Sequence, residues 1–300
     1  MLTNYAGQLY HRLTKVIIPA VREDDWLMDD VGDFERAAAD IRQAEHFMLP
    51  DNGVIFCDQL KGLRGVPIRL PFPVITLEFN TPVPDDATLR WVMVAREYPI
   101  NLMTPPWGEK YNLEGFTHFM EVYAFTKHQL SDWIPIPGAY TVPTGIESFD
   151  VFKTSLLHPA TMFERYRQAY AQQANSIEFV NTDAKATLAN AFRAVLELCE
   201  ALACSNVSAP IANRVPPAVA QSRRKKGKLP IYEMRVLTID TAVEQSHAGN
   251  KPVTGRHGVK QHLRRGHVRN LASGLKIWVN ACVVGDPNKG VVDKSHAVKH

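Results

Sequence analysis

Fourteen consecutive residues near the C-terminus, Arg256 to Arg269, hold three histidines, His257, His262 and His267, and five cations, Arg256, Lys260, Arg264, Arg265 and Arg269. A guanidinium group engages two phosphate oxygens at once, and an imidazole can hydrogen-bond phosphate or move a proton near neutral pH. These are the parts of a phosphodiester-binding surface. They are also the parts of a metal-independent ribonuclease, which needs a base for the 2′-hydroxyl proton, an acid for the leaving oxygen and a cation on the phosphorane. In that second reading His262 and His267 are the acid–base pair, and Arg264, Arg265 or Arg269 stabilises the charge. A spacing of five does not by itself aim two imidazoles at one point, so binding without catalysis is the leading reading.

The histidine spacing matches no familiar zinc finger, and only Cys282 offers a nearby thiolate, so no metal is expected. Lys276 and Trp278 follow closely in an apolar run. An exposed indole would stack on a base, whereas a lone tryptophan in such a strand is more often core. A second basic run, Arg223-Arg224-Lys225-Lys226-Gly227-Lys228, has no apolar residue to anchor it. Each of its cations that meets a phosphate makes affinity more dependent on salt. The bland reading of this run is a solvated linker.

The formal charge of +3 hides a division. Residues 214–300 hold 17 Lys+Arg against 5 Asp+Glu, a net of +12, while residues 1–213 hold 17 against 26, a net of −9. A positive part joined to a negative one attracts polyanions through one end only, unless the two neutralise each other internally. Asp24-Asp25 and Asp29-Asp30 flank Trp26-Leu27-Met28 as a carboxylate cluster, but no second element completes a metal site and a solvated loop or helix start is expected. Phosphate-binding glycine loops, dinucleotide fingerprints, nucleophile elbows and H-E-x-x-H are absent from the sequence, so no cofactor is expected.

The elements that position these groups follow from periodicity. Residues 3–18 read as a helix stopped by Pro19, and Asp33 to Phe47 as a second helix with Phe34, Ala37, Ala38, Ile41, Ala44 and Phe47 on one stripe. Val54–Cys57, Val74–Phe79, Leu89–Glu97 and His118–Thr126 read as strands, with the early helices packed on one face of their sheet. Asp183 reads as the N-cap of a long helix over 184–203, whose stripe Leu188, Phe192, Val195, Leu196, Cys199 and Leu202 is core. Cys199 and Cys204 read as packed free thiols.

The expected fold is therefore α+β, with an acidic mixed α/β domain over 1–205, a Pro/Ala and basic linker over 206–229, and a basic β-rich module over 230–300. In that module strands are expected at 231–239, 267–269 and 276–284, with turns at Ser273-Gly274 and Gly285–Gly290. With 45% hydrophobic and 22% charged residues the composition is that of an ordinary globular protein. The N-terminus lacks a secretory pattern and no run approaches the length of a membrane span, so a cytoplasmic protein with no membrane partner is expected.

The pattern His262-Leu263-Arg264-Arg265-Gly266-His267-Val268-Arg269, then Gly274, Ile277-Trp278-Val279 and Val284-Gly285, resembles the ending of a loose group of uncharacterised phage and prophage proteins. The proline-framed strand Arg69-Leu70-Pro71-Phe72-Pro73 into Leu77-Glu78-Phe79 is similar to their N-terminal part. The resemblance implies a mobile-element gene expressed in a bacterial cytoplasm and brings no activity. Nucleic acid, RNA or DNA, is the leading partner; a host protein held as by an inhibitor is the other.

Overall fold

The structure, a computed structural model, describes residues 3–55, 69–83, 87–100, 116–128, 131–144, 158–160, 162–173, 177–240, 260–264, 267–279, 282–284 and 286–291. Of these, 143, 158–160, 177–182, 260–264, 267, 282–284 and 286–291 are described by their main chain alone.

The N-terminal helical segment begins as α1 (Tyr5–Arg12), widens to a π turn over Leu13–Ile17, and continues as α2 (Ile18–Glu23). Pro19 does not stop it. A proline lacks the amide donor and crowds the carbonyl four residues back, and the π turn immediately upstream accommodates both. Helix α3 (Val31–Gln43) follows and ends earlier than its apolar stripe suggests, because Ala44 turns extended at ψ 151°. Glu45–Met48 then forms strand β1 instead of the last helical turn, and Phe47 is fully buried in the sheet core.

Four long strands carry the centre: β2 (Val74–Val83), β3 (Ala87–Pro99), β4 (His118–Lys127) and β6 (Ala139–Thr144), with β5 (Ile134–Pro135) beside β4. With β7 (His158–Ala160), β9 (Ile211–Asn213) and β10 (Met234–Val236) they build a nine-stranded sheet in the order β7-β6-β4-β3-β2-β1-β10-β9. Strand β1 lies parallel to both neighbours, β2 and β10; the other pairings are antiparallel. The fold is α+β with one large mixed sheet.

Side chains alternate along a strand, so each central strand feeds two cores. Ile75, Leu77 and Phe79 of β2, with Met93 and Ala95 of β3, pack under Leu188, Phe192, Val195 and Leu196 of the long helix α5 (Ile177–Leu202). Val74, Val92, Val94, Tyr123 and Phe125 face the other way, against Leu9, Leu13, Phe34 and Ile41 of the early helices and Phe163 before α4 (Glu164–Gln173). Helices therefore cover both faces. Val54 and Ile55, expected to open a strand, form none.

Two distant helix N-termini are capped by carboxylates that the sequence leaves unexplained. Glu78, buried on β2, accepts the amides of Tyr5 and Ala6 at 2.8 Å each, at the start of α1. Asp30, also buried, accepts the amides of Arg165 and Tyr166 at 3.1 and 2.8 Å, while Asp33 accepts that of Phe163 at 2.8 Å. The unsatisfied first-turn donors of a helix and its positive dipole end favour such anions. Asp29 reaches the Arg165 guanidinium at 2.6 Å, so the Asp29-Asp30 pair tethers α4.

Candidate nucleic-acid interface

The segment 206–229, expected as a linker, carries β8 (Val207–Ser208), the edge strand β9 and a helix, α6 (Pro217–Lys225). β8 pairs with β11 (Thr238–Ile239) and β9 with β10, so residues 207–213 and 234–239 form an irregular two-stranded ribbon. Helix α6 is the excursion between its arms. None of its residues is buried.

What orders so polar a helix is its ends. Pro217 occupies the first turn, where its missing amide costs nothing. At the other end Gly227, at φ +61°, donates to Arg224 O at 3.1 Å, and Lys228 donates to Arg223 O at 2.9 Å. These two reversed bonds satisfy the last carbonyls as a Schellman motif. The Arg223 Nε donates to Leu229 O at 2.8 Å, fixing the chain as it leaves the helix. Cations in a final turn also complement the negative end of the helix dipole, so the basic run stabilises the turn that displays it.

Arg224, Lys225, Lys226 and Lys228 are exposed, as is Arg214 just before the helix. Among the described residues none of them forms an ion pair with a carboxylate. Glu233 lies near the helix start, where it accepts the amide of Val215 at 3.0 Å. The basic run Arg223 to Lys228 was legible in the sequence; the helix that carries it and the nearby Arg214 were not. The readable signal was the Pro216-Pro217 to Gly227 frame, with proline just inside the start and glycine just past the end.

The second constellation is divided. Lys260, His262 and Arg264 lie on β12 (Lys260–Arg264), opposite Asp286, Val284 and Cys282 of β16 (Asp286–Val291) and β15 (Cys282–Val284). His267 and Arg269 lie on β13 (His267–Asn270), opposite Val279 and Ile277 of β14 (Lys276–Val279). His262 and His267 thus belong to two separate ladders. Arg256 and Arg265 lie outside the described residues, as do His257, Gly266 and Cys57. The turn expected at Gly285–Gly290 is instead largely strand β16, its proline tolerated beside an irregular pairing. The Ser273-Gly274 turn joins β13 to β14, with Gly274 at φ +83°.

Arg269 is exposed. Lys276 stands near the buried Glu200, whose carboxyl burial pushes up in pKa and the Lys276 charge draws partly back. Trp278 is 9% exposed and packs with Ala201 and Cys204. Its main chain is held from both sides by Asn206, which accepts its amide at 2.7 Å and donates to its carbonyl at 2.8 Å. The ring is taken up by packing, since stacking on a base needs an open face. Cys199 and Cys204 are free thiols, and burial raises them to about 12 and about 11, which leaves no thiolate for chemistry.

No described helix is long and apolar enough to cross a membrane. No protein-family model matches the chain, and no curated protein does. A solved structure described as the crystal structure of AcrVA2 aligns with a TM-score of 0.34 at 12% identity, covering 93% of this chain and 86% of that one. A likeness that slight carries no argument about fold or function.

Proposed function

We propose that this is a nucleic-acid-binding accessory protein of the phage or mobile-element kind its C-terminal pattern resembles, and that it grips the phosphate backbone with the capped basic helix α6. The observation that supports the reading is the unpaired state of Arg214, Arg224, Lys225, Lys226 and Lys228 among the described residues. Exposed cations without internal carboxylate partners are available to neutralise phosphates, and each phosphate so neutralised releases counterions condensed on the polyanion. Arg269 and the cations of β12 extend the same charge along the chain. The contacts so far named are to phosphate, so affinity is expected to depend on salt more than on sequence.

The test is binding of a fluorescent 30-nucleotide single strand by the full chain across a salt series. Arg224→Ala, Lys225→Ala, Lys226→Ala and Lys228→Ala combined should flatten the log–log salt slope by about 3, from about 0.7 per lost phosphate contact. Circular dichroism would confirm that the fold is kept. A slope unchanged in the folded quadruple variant would refute the proposal. A partner protein captured equally well after nuclease treatment, with no oligonucleotide binding, would replace it with the host-protein reading.

A further inference from the structure

Beyond the carboxyl ends of the parallel strands β1 and β10, the structure holds a half-enclosed cavity of about 350 Å³. Met48 and Val236 end those strands at its floor, Leu237 and Ile239 form a wall, and Ala201 of α5 and Trp278 of β14 close it. The space beyond the carboxyl ends of adjacent parallel strands is where open α/β sheets commonly receive ligands. Its size falls within the range of small-molecule sites, roughly 300–1,000 Å³.

We infer that this cavity is a binding site for a small, uncharged, predominantly apolar molecule, of the bulk of a fused bicyclic aromatic or a short acyl chain. All ten side chains around it are apolar. Water held there would find few of the two to four polar partners that an ordered buried water uses, so an apolar occupant gains by displacing it. The same lining excludes a charged ligand, because a charge buried without a partner is strongly disfavoured. Leu237, Ile239 and Met48 are only half-buried, which leaves apolar surface in contact with solvent until something covers it. One wall is fixed: the paired hydrogen bonds from Asn206 hold Trp278 as a strand partner would. The site does not rest on nucleic-acid binding.

The test uses the full chain and the neutral dye N-phenyl-1-naphthylamine, whose emission brightens and shifts blue in an apolar site. Saturable binding of one dye per chain is expected, weakened at least tenfold by Val236→Trp, which fills the floor. The quadruple alanine variant of α6 should bind the dye as the parent does. Val207→Trp, on the short strand β8 at the rim, gives the same reading should Val236→Trp not fold. Absence of saturable binding overturns the inference, and so does unchanged affinity in a folded cavity-filling variant, since the dye would then sit elsewhere.

Discussion

The arginines of the first two hundred residues and the cations of α6 are the same chemistry put to opposite uses. In the body Arg12 meets Asp132, Arg22 meets Glu35, Arg69 meets Glu97 at 2.8 Å, Arg165 meets Asp29 and Arg193 meets Glu197 at 2.7 Å. Arg96 lies 3.2 Å from Asp40, which is 1% exposed and also receives the Tyr123 hydroxyl at 2.9 Å. Arg36 lies 3.3 Å from Glu121, whose burial raises its pKa. Even Arg90, without a carboxylate partner among the described residues, stands 5.4 Å over the Tyr5 ring. Helix α6 has no such partners among the described residues. The lesson is that net charge is a poor guide to what a surface offers. A cation already matched by a carboxylate has little left for phosphate. Most arginines of the body, and Arg235 of the ribbon with Glu45 at 2.8 Å, are so matched; among the described residues, Arg214 and the exposed cations at the end of α6 are not.

The contrast breaks most sharply where a body pair is buried. Arg96→Ala leaves the Asp40 carboxylate without its cation in the layer between α3 and the sheet, and about 3 kcal/mol of stability should go with it. Urea unfolding would measure that loss. The affinity of the folded fraction for oligonucleotide should not change, and a parallel fall in affinity would show that the body cations also bind.

His46 gives the next largest effect and is read against pH. It is 4% exposed on β1, its Nδ1 lies 2.6 Å from the Thr76 hydroxyl, and its ring stacks on Tyr232 at 4.1 Å. Burial draws its pKa from 6.5 down to about 3. The unfolded chain therefore takes up a proton near pH 6.5 that the folded chain refuses. The stabilisation is complete above pH 6.5 and falls by up to about 1.4 kcal/mol per pH unit below it, until the folded value is reached. Glu121 and Glu78, whose pKa values burial raises, act in the opposite sense: their contribution is present at low pH and lost as pH rises through their folded values. The clean measurement is the difference in pH dependence between the parent and His46→Gln from pH 7 to 5. Parallel curves would mean that His46 titrates normally.

The central strands were legible because β2 reads as a β-branched run bracketed by prolines and β3 alternates, with Trp91, Met93 and Ala95 on the one face that packs into a single core. Helix α5 was legible because Leu188, Phe192, Val195 and Leu196 keep one stripe. Other elements were obscured by real physical ambiguity. Phe47 falls where another turn of α3 would also place an apolar residue, and periodicity alone cannot separate that turn from a short strand. Helix α6 lacks any apolar stripe, so its proline and glycine frame went unweighted. Glu78 and Asp30 act on amides 72 and 135 or more residues away in sequence, and no local pattern announces a cap supplied from such a distance. In the candidate interface the residue types were readable, but the unpaired state of α6 depends on where the carboxylates of the fold end up.

Two smaller perturbations sharpen the contrast from each side. Gly227→Ala meets no atom within 4 Å, so its cost is the left-handed backbone alone, about 1 kcal/mol at the cap of α6. The fraying of that last turn should weaken oligonucleotide binding a few-fold while the salt slope, which counts charges, stays the same. An unchanged affinity would show that the cations act without the helix that carries them. The smallest effect belongs to Arg22→Ala, which removes an ion pair whose side chains are 58% and 44% exposed. Screening by water and salt leaves such a pair worth less than about 0.5 kcal/mol. Arg22 and α6 cations each carry one formal charge and stand in solvent, so a view based on charge alone assigns them equal weight in binding. Pairing predicts otherwise: Arg22→Ala should leave the salt slope where it was, whereas Lys226→Ala alone should lower it by about 0.7. Equal shifts from the two substitutions, measured on the same oligonucleotide, would remove the distinction between matched and unmatched cations.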